Sequence, residues 1–232
     1  MKHIFLLSFL LILFSSCGGD TEQTMTVTGT VKGLKKGTLY LQHVPDTTLV
    51  VVDSLQIDGD GNFTFKTEIE SPEIFYLYLN KKDYNTINDR ITFFGEPGII
   101  TINTAWDTFD SKAKISGSKT HEKFEEYKAM MSKFNTKNLE IIQSANDPSI
   151  RADSMALDSI QKASDRNVIR GYRYSLNYAL INKDSYIAPY IALTEVADAN
   201  VTYLDSIYNS LTDEVASSKY GKALGVYLEG KK

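Results

Sequence analysis

Cys17 is the one cysteine among 232 residues. Dithiol redox chemistry needs a thiolate to attack and a second sulfur to resolve the mixed disulfide. The chain has no Cys-x-x-Cys, so that reaction has no residues here. Beyond the first ten residues the histidines are His43 and His121, far apart in sequence and without zinc spacing. Each reads as a helix N-terminus or strand-edge residue. No nucleophile elbow surrounds any serine, and no Gly-rich phosphate loop follows an extended run. Glu125-Glu126 lies in a helical run of charge and reads as a solvated face. Asp58-x-Asp60-x-Asn62 matches the opening of a calcium loop. However, Phe63 stands where the sixth position needs Gly, and Ile69 where the twelfth needs Glu. A hairpin turn is the expectation there. These residues predict no catalytic constellation, no metal site and no cofactor.

Tyrosine is the other conspicuous supply, with 14 in the chain. Tyr172, Tyr174, Tyr178, Tyr186 and Tyr190 fall close together. They read either as packing between helices or as an aromatic surface for a glycan or protein partner, since tyrosine joins a large apolar area to a polar tip. Three short triplets, Asp53-Ser54-Leu55, Asp158-Ser159-Ile160 and Asp205-Ser206-Ile207, resemble envelope O-glycosylation sites of some Gram-negative bacteria.

The lone sulfur is placed by what precedes it. Lys2 gives a positive start, Ile4 to Phe14 is almost unbroken Ile, Leu and Phe, and Ser15-Ser16 follow. This is the order of a secretory signal, and the apolar run is too short to span a bilayer, which takes about 20 residues. A plain cleaved signal with an incidental cysteine is one reading. The other rests on Leu13-Phe14-Ser15-Ser16-Cys17, which resembles a bacterial lipobox and implies a signal over 1–16 and an acylated Cys17 at the start of the mature chain. A thioether-linked sulfur also avoids the stray disulfides that an oxidising compartment invites. Two or more acyl chains anchor a protein stably. Residues 17–24 are small and polar, a lipidated flexible tether. Asp20 and Glu22 resemble sorting signals for the outer membrane or for surface export. The expectation is a Gram-negative envelope lipoprotein on the outer membrane, periplasmic or surface-facing.

Composition sets the scale of the rest. A content of 42% hydrophobic and 11% aromatic residues supports a core, and the net charge of −4 lacks the basic footprint that nucleic acid requires. From Met25 to Ser116 the apolar period is two, with turn residues every 8–12 positions, as in an all-β sandwich or barrel. Strands are predicted near 26–31, 38–43, 49–57, 62–69, 74–79, 90–95, 98–103 and 111–116. Ile74 to Leu79 is apolar on both faces, and Ile91 to Phe94 and Ile99 to Ile102 nearly so. Two-sided strands are covered, so the helical half or a partner protein should lie over that sheet.

From Thr120 the period lengthens. Phe124, Tyr127, Met131 and Phe134 fall three or four apart. Asp147-Pro148 is a start signal, and Leu157, Ile160, Ile169, Tyr172, Leu176 and Leu180 continue a similar stripe to about Asn182. Two long helices joined near 145–147 make an αα-hairpin, with shorter helices near 185–196, 201–210 and 218–228. The predicted fold is α+β: an antiparallel β-sandwich of about eight strands over 25–117, then a helical region over 118–232.

Thr28-Gly29-Thr30-Val31-Lys32-Gly33-Leu34, Val52-Asp53-Ser54, Asp60-Gly61-Asn62-Phe63-Thr64-Phe65, Phe94-Gly95-Glu96-Pro97-Gly98 and Ile115-Ser116-Gly117-Ser118 together resemble domain of unknown function 4369. In that family the sandwich and a helical segment usually precede an envelope thioredoxin-like thiol-disulfide oxidoreductase. The run from Leu204 to Leu224 looks like the last helices before that catalytic domain. The chain ends at Lys232, where the family normally enters it, and the family's activity maps onto no residue here. The expected function is a non-catalytic envelope lipoprotein that docks a protein or glycan partner. An accessory subunit of a thiol-disulfide exchange system, with the thioredoxin-like domain on another chain, is a second expectation. A structural spacer or a remnant is the third.

Overall fold

The computed structural model describes residues 23–81 and 89–231. Cys17, the predicted signal and nearly all of the tether lie outside them. Eight strands come first: β1 (Thr24–Lys32), β2 (Lys36–His43), β3 (Val50–Asp58), β4 (Asn62–Glu68), β5 (Glu73–Asn80), β6 (Arg90–Gly95), β7 (Gly98–Ala105) and β8 (Lys114–Ser116). They form two four-stranded sheets, in the orders β4-β1-β7-β8 and β3-β2-β5-β6. The fold is α+β, as the periodicity predicts.

One pairing departs from the antiparallel expectation. β1 and β7 run parallel, in register from Met25 opposite Gly98 to Lys32 opposite Ala105. A parallel pair needs a crossover, and here the whole second sheet lies on the connecting chain between the two strands. A second correction concerns the turn at 58–62. It is no hairpin, because β3 pairs with β2 in one sheet and β4 with β1 in the other. Asp60 shapes this crossing by accepting from the Asn62 backbone N–H at 3.0 Å and the Asn62 side-chain amide at 2.8 Å. Both carboxylate oxygens are thus engaged, and these bonds hold the Asp60 carboxyl below its ordinary pKa. Asp60 is therefore a turn former in a crossing between sheets, where a hairpin was expected.

Alternation along each strand builds the sandwich core. Met25, Val27, Val31, Leu39, Leu41, Phe65, Phe75, Leu77, Phe93, Ile100 and Ile102 are buried in one cluster between the sheets. Neighbouring residues in a strand point to opposite faces, and β5 and β6 use both. Ile74 and Phe94 are buried in a second cluster with the helices, so the helical half covers this sheet. β7 does not follow suit. Ile99 on its outer face is 66% exposed, and there the expectation of a covered strand is overturned.

The helices are α1 (Lys119–Ser144), α2 (Pro148–Arg151), α3 (Ser154–Ile181), α4 (Ile187–Thr194), α5 (Val201–Ser210), α6 (Asp213–Ala216) and α7 (Lys219–Glu229). Asp147 caps only the single turn of α2, accepting from the Ser149 N–H at 2.9 Å. The long helix restarts at α3, where Asp153 accepts from the Met155 N–H at 2.8 Å. The hairpin therefore has a two-cap joint where one cap was predicted. α6 was not anticipated; Thr212 caps it through the Val215 N–H.

The sheet-to-helix seam is hydrogen-bonded as well as apolar. Glu96, in the turn before β7, accepts from the backbone N–H groups of Lys119 at 2.6 Å and Thr120 at 3.2 Å. Ser118 accepts from the His121 N–H at 3.0 Å. Between them they satisfy three of the open donors at the N-terminus of α1.

Candidate functional site

The face that α3 turns toward α1 is not its apolar stripe. Its buried residues include Ser164, Asn167, Gly171 and Ser175, small or polar side chains. Each polar member has a partner. Ser164 donates to the Asn138 side chain at 2.7 Å, Asn167 to the Phe134 carbonyl at 2.8 Å, and Ser175 shares a 2.7 Å bond with the Tyr127 hydroxyl. Such pairing removes the penalty for burying them.

The predicted stripe of Ile169, Tyr172, Leu176 and Leu180 is consequently turned outward. With Val168, Tyr203 and Ile207 it lines a groove of about 730 Å³ between α3 and α5. Val168 is 56% exposed and Tyr203 is 59% exposed. Leu176 and Tyr172 pack against the helical core below and form the groove floor. Few polar groups interrupt it: Arg173, Asn177 and Ser206. A concave, mostly apolar surface with a few polar groups is the usual form of a binding site.

The five tyrosines do not share one surface. Tyr178 is buried and donates to the Lys123 carbonyl at 2.8 Å. Tyr174 stacks on Tyr127 at 6.1 Å inside the hairpin. Tyr190 meets Phe94 edge-on at 5.2 Å and Phe124 at 5.8 Å within the sheet-to-helix seam. Tyr186 donates to Glu214 at 2.5 Å and ties α4 to α6. Tyr172 alone lines the groove, and its hydroxyl donates to Asp198 at 2.9 Å. The common partner surface expected of Tyr172, Tyr174, Tyr178, Tyr186 and Tyr190 is therefore corrected to Tyr172. The others are anchored by packing. Burial, with the Asp198 bond second, pushes the Tyr172 hydroxyl up to about 12, so it is a fixed donor at neutral pH.

A second, polar cleft of about 520 Å³ lies where α6 and α7 meet the sandwich. Lys219 at the start of α7 bonds through its ammonium to the Glu73 carboxylate and the Val44 carbonyl, and its backbone N–H donates to Ser71 at 3.1 Å. His43 closes β2, bonds the other Glu73 oxygen at 3.2 Å and stacks on Phe75 at 5.1 Å. Glu73 is thus committed on both oxygens. The cluster latches α7 to the sheet, and among the described residues no serine accepts from or donates to His43.

His121 lies in the first turn of α1, as its position suggests. Its Nδ1 accepts from the Phe94 N–H at 3.3 Å, which puts the ring proton on Nε2, facing Glu125 at 3.4 Å. Burial holds this imidazole down to about 4, against the pull of Glu125 and Glu96. Glu125 also pairs with Lys128 at 2.6 Å, while Glu126 accepts from Tyr178 at 3.3 Å. Those two carboxylates belong to separate contacts. Among the described residues no three His, Cys, Asp or Glu side chains gather as a metal site, and no helix is long and apolar enough to cross a membrane. Of the three glycosylation-like triplets, those at Ser159 and Ser206 lie in helices, their hydroxyls donating to the carbonyls of Met155 and Thr202.

Sequence reasoning missed the groove, the Glu73–Lys219 latch and the capping role of Glu96. A signal for the first did exist. Ser164, Asn167, Gly171 and Ser175 fall at three- and four-residue spacing, a small-residue stripe as regular as the apolar one beside it.

The architecture defines an α+β protein, a two-sheet sandwich capped by a helical half. Residues 25–124, from β1 to the first turns of α1, match the family described as domain of unknown function (DUF4369). No curated protein and no solved structure matches the chain. The groove between α3 and α5 lies outside the matched residues.

Proposed function

We propose that this protein is a lipid-anchored component of a Gram-negative envelope whose helical half docks a partner in the groove between α3 and α5, without catalysing a reaction on it. The observation that carries this reading is the orientation of α3. Its small polar face is spent on α1, and its apolar stripe opens on a cavity large enough for side chains of another molecule. Contiguous exposed apolar surface rimmed by polar residues is a mark of interaction sites. The lining offers little to a sugar's hydroxyls, which favours a protein partner over a glycan. The leader and Cys17 supply the envelope address, and the sandwich is the platform that holds the helices off the tether.

Affinity capture from solubilised membranes tests this, with the wild-type chain, a Leu180→Glu variant and an unrelated lipoprotein run side by side. Leu180 is an exposed groove residue, so the substitution leaves the fold intact. A protein retained by the wild type and lost from both of the others is the expected result. Equal recovery from wild type and Leu180→Glu overturns the assignment of the groove, and recovery no greater than the lipoprotein control overturns docking itself.

A further inference from the structure

Basic charge along the groove is one-sided. Between Asp165 and Asp184 the sequence holds Arg166, Arg170, Arg173 and Lys183 and not one acidic residue, in a chain whose net charge is −4. The arginines are spaced four and three apart, which aligns them along one edge of a helix. Arg173 is itself in the groove lining. All three are exposed, and among the described residues none makes an ion pair. Other exposed charges of the hairpin do: Lys128 with Glu125, Lys137 with Glu140 and Lys162 with Asp158. The opposite wall, α5, contains no Lys or Arg. From Val168 to Leu180 the apolar floor runs about 18 Å at 1.5 Å per residue, the length of roughly three helical turns.

From this we infer that the groove receives an amphipathic helix of a protein partner, with apolar residues at i, i+3, i+4 and i+7 and an acidic edge that faces Arg166, Arg170 and Arg173. The inference rests on the docking reading above and gives the partner its chemistry. Apolar anchors laid into a groove between two helices supply the affinity in this mode of recognition. A row of like charge on one wall fixes the direction and register of the incoming helix and raises its association rate. A helix with a basic edge meets repulsion along the same wall.

The test titrates the full chain with a labelled 14-residue peptide of helical design, leucine on one face and glutamate on the adjoining edge. A second peptide replaces glutamate with lysine. Variants are Arg166→Glu/Arg170→Glu/Arg173→Glu and Leu180→Glu. The acidic peptide binds the wild type, at least about tenfold more weakly in the triple variant and more weakly as salt rises. The lysine peptide shows the reverse preference for the triple variant. Leu180→Glu abolishes both. Equal binding of both peptides, or acidic-peptide binding indifferent to the arginines, overturns the charge inference and leaves docking in place, provided Leu180→Glu still blocks. Failure of every peptide overturns it as well. Two further arms carry the rival occupants. Arginine-dependent binding to phosphatidylglycerol vesicles without peptide binding assigns the surface to lipid, and groove-dependent dimerisation in sedimentation assigns it to a second copy. Either overturns the inference.

Discussion

Phe94 shows how much of this protein turns on single side chains. Its neighbour Phe93 is buried in the sandwich core, whereas Phe94 faces the other way into the helices and meets Phe124 at 5.5 Å, Tyr190 at 5.2 Å and Tyr220 at 6.2 Å. Removing a buried phenylalanine ring costs about 3–5 kcal/mol, so Phe94→Ala should lower unfolding free energy by that amount in denaturant titration. Ile99, whose side chain is open to water, is the control: Ile99→Ala should stay within about 0.5 kcal/mol. Equal effects would contradict the one-sided coverage of the sandwich. His121 makes a second prediction. Its folded-state pKa is lowered from 6.5 to about 4, so the unfolded chain binds the extra proton as the pH drops. The stability it contributes is complete above pH 6.5 and is lost on descending to about 4, by on the order of 3 kcal/mol at 1.36 kcal/mol per unit. His121→Asn, which keeps an acceptor for the Phe94 N–H, should flatten that slope. An unchanged slope would place the titration elsewhere.

At the scale of elements, the seam between sheet and helices depends on α7. Glu73 is buried with Lys219 as its cation, and Tyr220 accepts from the Ile74 N–H at 3.1 Å. Lys219→Met leaves that carboxylate with His43 alone, a loss of about 1–3 kcal/mol for an under-satisfied buried group. Amide exchange should quicken first in α7 while α1 keeps its protection; uniform quickening would argue against a local latch. The elements themselves were largely legible beforehand. Period-two alternation located the strands because most of them bury one face between the sheets, and the adjacency of Phe93 and Phe94 announced the covered one. What the pattern could not convey was partnership. Leu176 and Leu180 look like any core stripe, and only because α1 packs on the face that holds Gly171 and Ser175 does Leu176 become a groove floor and Leu180 stay exposed. The parallel run of β1 beside β7 was equally hidden, because nothing in the side chains of either strand records direction. The five tyrosines read either as packing or as a surface, and the sequence left that choice open because a phenol buried against Glu or a carbonyl has the same local sequence as an exposed one; packing holds for all but Tyr172.

For the whole molecule, the proposed function joins a lipid address to a docking head. The address is tested by Cys17→Ser, which should move the protein from the membrane pellet to the soluble fraction, and the acylated N-terminal mass should vanish with it. Retention in the pellet would remove the anchor from the account without touching the groove. Docking in the groove would need the two halves in register, because the seam at Phe94, Tyr220 and Lys219 fixes how the helical half sits on the sandwich. A Phe94→Ala chain should therefore stay anchored yet bind its partner less firmly. The most direct measurement places a photo-crosslinking residue at Tyr203, on the groove rim, and at Ile99, on the uncovered strand, in membranes of the living cell. One discrete adduct from position 203, absent from position 99 and abolished by Leu180→Glu, is the predicted result. Adducts that appear equally from both positions, or that persist with Leu180→Glu, would contradict the groove as the site of docking.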